Sequence, residues 1–135
     1  MELKTLSEIE IISAASSKIN EVDFENLTFG NVFTDHMLVC DYKDGAWQKP
    51  VIEPYAPFMI DPSAKVFHYG QAIFEGMKAY KDQQDDVWLF RPDENFKRFN
   101  KSATRMAMPE VPEEIFINGL KTILDIERNW VKKGL

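Results

Sequence analysis

The sequence predicts an α+β domain in which helices pack on one face of an antiparallel sheet. Strand-forming residues and two hairpin signals fill the region from Asn31 to Phe90, whereas helix signals begin only at Pro92. A run of strands followed by a run of helices is typical of this fold class. With 135 residues the chain is long enough for one domain with its own hydrophobic core.

Composition and charge exclude several classes of partner. The net charge is −6 and no basic run is longer than the two residues of Lys132-Lys133, so neither a nucleic acid nor an anionic membrane surface is expected as a partner. Cys40 is the only cysteine, which rules out an internal disulfide. Acidic residues stand where a secretory signal would be basic, as Glu2 and Glu8 illustrate. The cytoplasm is therefore the expected compartment.

The first 30 residues form the least decided segment. Isoleucines at 9, 11, 12 and 19 suit either a strand or a short helix, and the run from Ser13 to Ser17 weakens both interpretations. We expect residues 1–30 to form an arm that becomes ordered by packing on the rest of the chain. Residues 31–135 are then the domain proper.

Two hairpins are predicted after the arm. Val32 to Tyr42 is rich in strand-forming residues, and Asp44-Gly45 follows as a turn signal because both central residues of a type I′ turn need positive φ. The strand that returns from Ala46 to Glu53 contains Pro50, which predicts a position at a sheet edge. The second hairpin pairs residues 76–80 with residues 87–90 through a polar loop.

Two helices are predicted to close the chain. The first begins at Pro92 and ends at Pro109, and it buries a face of Phe96, Phe99, Ala103 and Met106. The second begins with Pro112 at its first helical position, carries Lys132 and Lys133 in its last turn, and is capped by Gly134. Arg91 is expected to close the corner between the last strand and the first helix.

The run from Phe67 to Tyr80 combines aromatic rings with glycines. Tyr69 and Phe74 are large and flat, while Gly70 and Gly76 allow positive φ or a close approach of the backbone to a ligand. Two interpretations stay open from the residues alone: a wall of a binding site, and a tight turn packed on core aromatics. We expect the carboxylate inside this run, Glu75, to be structural.

Charged and metal-ligating residues give weaker signals. Arg98 and Arg105 lie seven residues apart and form, with Lys97 and Lys101, a basic strip whose simplest interpretation is a solvated helix face. The only histidines, His36 and His68, have no cysteine or carboxylate at ligand spacing, so no metal site is expected.

Three stretches together resemble one enzyme family. Residues 67–76 read Phe-His-Tyr-Gly-Gln-Ala-Ile-Phe-Glu-Gly, residues 89–98 contain Leu-Phe-Arg-Pro and end on Lys-Arg, and residues 29–37 read Phe-Gly-Asn-Val-Phe-Thr-Asp-His-Met. These stretches resemble the signatures of the branched-chain amino acid aminotransferases, which are pyridoxal 5′-phosphate (PLP) enzymes of fold type IV. The resemblance extends over residues 29–130.

The resemblance implies roles for five residues. Arg98 matches the arginine that holds the PLP phosphate, as a guanidinium fork can. Phe33, Tyr69 and Phe74 match the aromatic residues that line the pocket for the aliphatic side chain of the substrate, and Gly76 matches a residue beside the substrate. No residue here matches the family's Schiff-base lysine, which belongs to a larger C-terminal domain that we expect this chain to lack. Catalytic residues are therefore expected to be absent from this chain.

The function implied is transfer of an amino group between leucine, isoleucine or valine and 2-oxoglutarate, in a homodimeric enzyme of amino-acid biosynthesis. This chain would be its N-terminal portion. Two alternatives stay open at this point. One is a stand-alone, non-catalytic domain that binds a ligand or a partner; the other is a relative with different chemistry, a D-amino-acid aminotransferase or an aminodeoxychorismate lyase.

Overall fold

The computed structural model describes residues 9–134, and it confirms the α+β class. The strands are β1 (Glu10–Ile11), β2 (His36–Val39), β3 (Tyr42–Lys43), β4 (Ala46–Trp47), β5 (Val51–Pro54), β6 (Ala79–Lys81) and β7 (Val87–Leu89). The α-helices are α1 (Lys65–Tyr69), α2 (Pro92–Arg105) and α3 (Gly119–Ile126). Short 3₁₀ helices span Ile19–Glu21 and Arg128–Trp130, and a π-helix spans Glu114–Asn118. Between residues 9 and 134, none of the helices has the length and apolar character that crossing a bilayer requires.

The largest sheet has three strands in the order β1-β5-β2. Strand β5 pairs antiparallel with β2 and parallel with β1, so the side chain of Ile52 lies at the centre and is 0% exposed. The prediction that Pro50 marks an edge strand is wrong. Pro50 comes one residue before β5, and its carbonyl accepts a hydrogen bond from the Glu10 N–H at 3.1 Å. Its missing N–H is therefore outside the strand pairing, and the strand can occupy the middle of the sheet.

Both predicted hairpins are present, each with strands of two or three residues. Asp44 and Gly45 connect β3 to β4 with φ of 53° and 78°, as a type I′ turn requires. Strand β6 pairs antiparallel with β7. In the loop between them, the Asp82 carboxylate accepts hydrogen bonds from the backbone N–H groups of Gln84 and Asp86, each at 2.9 Å.

Helix α2 begins at Pro92 as predicted, and Arg91 turns the corner from β7 with a φ of 49°. The helix ends at Arg105, several residues before Pro109, because Ala107 takes a left-handed φ of 53° that no helix continues. Phe96 and Phe99 pack against Phe116, with ring centroids 5.5 and 5.6 Å apart. These contacts join α2 to the helical segment that follows.

The last helical segment differs from the prediction. It starts as a π-helix, continues as α3 and stops at Ile126, so Lys132, Lys133 and Gly134 lie beyond it. Lys133 instead forms a parallel bridge with Lys81 and an ion pair with Asp85 at 2.9 Å. Gly119 begins α3 directly over β2, and a Cβ atom at this glycine would lie 2.5 Å from Cδ2 of Leu38. The helix therefore approaches the sheet closely at this point.

A polar cluster attaches residues 14–18 of the predicted arm to the domain. Asp35 is 7% exposed, and its carboxylate accepts hydrogen bonds from the Ser17 hydroxyl (2.5 Å), the Lys18 N–H (2.8 Å) and the Trp130 indole N–H (3.0 Å). Burial raises the pKa of Asp35, but these hydrogen bonds outweigh burial and hold the pKa below its usual value. These hydrogen bonds connect Ser17 and Lys18 to Asp35, and residues 1–8 of the predicted arm lie outside the described part of the chain. The boundary at residues 30 and 31 stays a prediction.

The neighbouring His36 adds a second link to the same cluster. Its Nε2 accepts a hydrogen bond from the Ala14 N–H at 2.9 Å, and its Nδ1 bonds to the buried carboxylate of Glu127. Because Nε2 accepts a hydrogen bond, it carries the lone pair and the proton of the neutral ring is on Nδ1. The arm, strand β2 and the segment after α3 thus share one network.

We expect Asp35→Ala to lower the free energy of unfolding by about 1.5–3 kcal/mol, the usual cost of losing hydrogen bonds to a partly buried charged group. Urea denaturation followed by tryptophan fluorescence measures this change. Asp23→Ala is the matched control, because the Asp23 carboxylate also accepts local hydrogen bonds but is exposed. Equal losses in the two variants would contradict a specific role of Asp35 in holding the arm.

Candidate functional site

The segment between α1 and β6 is held against α2 at several points. Helix α1 ends at Tyr69 because Gly70 takes a left-handed φ of 60°. The side-chain amide of Gln71 then donates to the Met106 carbonyl at 2.8 Å. Further on, the Asn95 amide donates to the Glu75 carboxylate at 2.8 Å and to the Gly76 carbonyl at 3.1 Å. The predicted binding wall is therefore tied to both ends of α2.

Arg98 forms a bidentate ion pair with Glu75. Its Nε donates to Oε2 of Glu75 at 2.8 Å, and its Nη2 donates to Oε1. The two partners differ in exposure, since the Glu75 side chain is 8% exposed and that of Arg98 is 67% exposed. The Arg98 hydrogen bonds are the main cause that lowers the pKa of Glu75 to about 2, against the opposing effect of burial. The carboxylate is therefore ionised at neutral pH.

Arg98 lies between two clefts. One, of about 340 Å³, is also lined by Gly76, Asn95 and residues of β6 and the β7–α2 corner. The other, of about 770 Å³, is lined by Phe74, Arg98 and Arg105 among others. The structure thus brings three of the five predicted site residues, Phe74, Gly76 and Arg98, to one region beside α2.

The other two predicted site residues lie elsewhere or on open surface. The ring of Phe33 stacks on Tyr55 with centroids 4.6 Å apart, and it lines a cavity of about 620 Å³ with Phe24 and Trp130. Tyr69 is 80% exposed at the end of α1, and Phe74 is 89% exposed. Rings of this size with so much free surface are typical of residues that another protein segment or a ligand covers.

The described residues show no buried lysine poised for covalent chemistry within the Phe67–Tyr80 run. Lys78 is exposed, and its ammonium lies 5.3 Å above the ring of Tyr80. From residue 9 to residue 134 there is also no group of three or more side chains that could hold a metal ion. What this region offers is a guanidinium beside apolar walls.

Sequence reasoning missed how Arg98 is held. Glu75 was expected to be structural, and nothing in its neighbourhood along the chain pointed to Arg98, which is 23 residues away. One signal was available: Asn95 precedes Arg98 by three residues, so the two side chains share one face of a helix and can reach the same partner.

The chain was compared with protein-family models and with curated proteins. No protein-family model matches the chain. Curated relatives do match: a probable branched-chain-amino-acid aminotransferase of Staphylococcus epidermidis is 56% identical over 113 residues, which is 83% of this chain and 31% of the relative. Branched-chain-amino-acid transaminase 1 of Bacillus subtilis is 51% identical over 82% of this chain and 32% of its own length. A branched-chain-amino-acid aminotransferase of Mycolicibacterium smegmatis is 43% identical over 87% of the chain and 32% of its own length. The chain thus spans about a third of the length of the relatives it matches.

Proposed function

The chain belongs to the family of the branched-chain-amino-acid aminotransferases, and from this membership we propose that it is the N-terminal portion of such an enzyme. The complete enzyme would move an amino group between leucine, isoleucine or valine and 2-oxoglutarate. The observation that carries the proposal is the 56% identity over 113 of the 135 residues. A matched stretch of that length includes both Phe33 and Arg98, wherever it begins.

The residues present fit the phosphate of PLP. Arg98 is an exposed guanidinium at the junction of two clefts, and it keeps its charge because the hydrogen bonds that it donates to Glu75 raise its pKa further. A guanidinium binds phosphate through two parallel hydrogen bonds. When bound, PLP supplies the electron-withdrawing ring that carries the amino group between two acids. In this proposal Arg98 holds the phosphate end of the cofactor.

The aromatic residues fit an aliphatic side chain. Phe33, Tyr69 and Phe74 would form the apolar walls of the substrate pocket, and the backbone of Gly76 would lie beside the substrate. Each methylene group that such walls distinguish is worth about 1–3 kcal/mol. The exposed rings support this role, since the free faces of Tyr69 and Phe74 are available to a ligand or to a covering segment.

Assays of the complete enzyme test the proposed reaction. Amino transfer from leucine, isoleucine and valine to 2-oxoglutarate is expected, with little activity on D-alanine or aminodeoxychorismate. Preference for either of the latter would replace the proposal by one of the alternative chemistries.

We place the enzyme in the cytoplasm, because Cys40 has no second cysteine within this chain with which to form a disulfide.

The 135-residue chain alone gives a second test. After incubation with PLP and reduction with borohydride, mass spectrometry is expected to find no lysine modified stoichiometrically, because none matches the family's Schiff-base lysine. Stoichiometric modification of Lys78 would contradict this assignment.

We also propose that the enzyme is a homodimer, and the surface of the chain supports association. Its accessible surface is 10613 Å², whereas a compact protein of 15.7 kDa would expose about 7,300 Å². Large apolar side chains are part of this exposed surface, as Phe29, Met59 and Phe74 illustrate. We therefore expect the isolated chain to self-associate in light scattering as its concentration rises. A monomer that persists at high concentration would contradict this expectation.

A further inference from the structure

The ion pair between Glu75 and Arg98 uses only one side of the guanidinium. Glu75 occupies the edge formed by Nε and Nη2. Within residues 9–134, Nη1 has no hydrogen-bond partner, so the second edge, formed by Nη1 and Nη2, stays open. A guanidinium that binds one anion along each edge can hold a carboxylate and a phosphate at the same time.

Glu75 is the fixed member of the pair. Its side chain is 8% exposed, whereas Arg98 is 67% exposed, and Oε1 of Glu75 also accepts the hydrogen bond from Asn95 at 2.8 Å. Asn95 belongs to the same helix as Arg98 and additionally holds the Gly76 carbonyl. The Glu75 carboxylate is thus held by the side chain of Asn95 on α2. The orientation of the long Arg98 side chain then follows from its hydrogen bonds to this carboxylate.

We infer that Glu75 is a positioning residue for cofactor binding: it holds the Nε–Nη2 edge of Arg98 so that the second edge, formed by Nη1 and Nη2, faces the phosphate of PLP. This role rests on the proposed function. An arginine free to change rotamer would lose side-chain entropy when it binds phosphate, and Glu75 removes that cost in advance. The low pKa of Glu75, about 2, keeps the pair intact at every pH near neutrality.

Two effects of Glu75 oppose each other. Its negative charge disfavours a second anion nearby, while its hydrogen bonds orient the guanidinium toward that anion. Because Arg98 is largely exposed, water screens the charge effect, whereas the orientation does not depend on screening. We therefore expect orientation to dominate.

The test compares Glu75→Gln with Glu75→Asp in the complete enzyme. Glutamine removes the charge and puts an amide where a carboxylate oxygen was; aspartate keeps the charge but falls short of Arg98 by one methylene group. Dissociation constants are measured for PLP and for pyridoxal, which has the same ring and no phosphate. Both variants are expected to bind PLP roughly tenfold more weakly, the effect of about one charge-assisted hydrogen bond, with unchanged affinity for pyridoxal.

Asp125→Asn is the matched control, since Asp125 also pairs with an arginine, Arg128, but away from Arg98. It should leave both affinities unchanged. Unchanged or tighter PLP binding in Glu75→Gln, with Glu75→Asp like the wild type, would show that the Glu75 carboxylate does not orient Arg98 for phosphate and would overturn the inference. Equal losses for PLP and pyridoxal would also overturn it, because they indicate a general structural defect. If Glu75→Gln fails to fold, Glu75→Asp alone provides the test. Its affinity for PLP relative to pyridoxal should be roughly tenfold lower than that of the wild type, and an unchanged ratio would overturn the inference.

Failure of the proposed function has a different signature. A wild-type enzyme that binds PLP no more tightly than pyridoxal would refute the phosphate site itself, and with it the role of Glu75. A wild-type enzyme that prefers PLP, together with Glu75 variants that keep the same preference, would refute only the positioning role.

Discussion

Replacing Ile52 by alanine is expected to lower the free energy of unfolding by about 2–5 kcal/mol, the usual cost of truncating a buried isoleucine. Ile52 is 0% exposed at the centre of the three-stranded sheet, with Leu38 opposite it on β2 and Ile11 beside it on β1. Apart from Pro50 and Gly119, only two other apolar residues of the described chain, Ala103 and Ile115, are buried. A cavity at Ile52 therefore removes a large part of a small core.

Urea denaturation followed by tryptophan fluorescence measures this loss, at a protein concentration low enough to suppress association. Ile52→Val should cost about 0.5–1.5 kcal/mol. Ile11→Ala is the matched control, because Ile11 belongs to the same sheet but is half exposed, and its cost should be smaller. Loss of the cooperative transition in Ile52→Ala would agree with the prediction. Equal costs for Ile52→Ala and Ile11→Ala would contradict it.

Replacing Arg98 by alanine in the complete enzyme is expected to weaken PLP binding by about 10- to 150-fold, the range expected for loss of charge-assisted hydrogen bonds. The affinity for pyridoxal should change little, since pyridoxal has no phosphate to lose. The PLP affinity of Arg98→Lys should fall between those of the wild type and Arg98→Ala, because lysine keeps the charge but not the fork that pairs with two phosphate oxygens. Equilibrium dialysis with each ligand gives the dissociation constants.

Two further variants separate phosphate binding from side effects. Arg105→Ala removes a positive charge from the same cleft without removing the pair with Glu75; if it weakens PLP binding as much as Arg98→Ala does, general attraction of anions is responsible. Arg98→Ala also leaves the Glu75 carboxylate with Asn95 as its remaining side-chain partner. Combining Arg98→Ala with Glu75→Gln removes that buried charge, and the loss of PLP affinity should persist. Its disappearance in the double variant would assign the effect to the stranded carboxylate.

Features that depend on a residue and its immediate neighbours could be predicted from the sequence. The turn at Asp44-Gly45 and the start of α2 at Pro92 follow from backbone preferences that act over two or three residues. Arg98 as a candidate phosphate ligand followed from a run of residues that matches a family. In each case the information lies within one short stretch of chain.

Features that depend on distant parts of the chain could not be predicted from the sequence. Pro50 constrains only its own N–H, so it could not reveal that β1 would pair on the outer side of β5. The early end of α3 goes together with the bridge between Lys133 and Lys81, which is a contact across 52 residues. The link between Glu75 and Arg98 is likewise a tertiary contact. None of these contacts produces a periodic pattern that a sequence could display.

The polar cluster around Asp35 and His36 also sets an order of events during synthesis of the chain. Residues 14–18 leave the ribosome well before Glu127 and Trp130, yet their anchor needs both later residues. Glu127 supplies the second partner of His36, and Trp130 supplies the indole N–H that donates a hydrogen bond to Asp35. Contacts that span 91 and 95 residues form late, since closing long loops costs entropy before any contact compensates for it. Residues 14–18, which are translated more than 100 residues before Glu127, are therefore expected to reach their final place late.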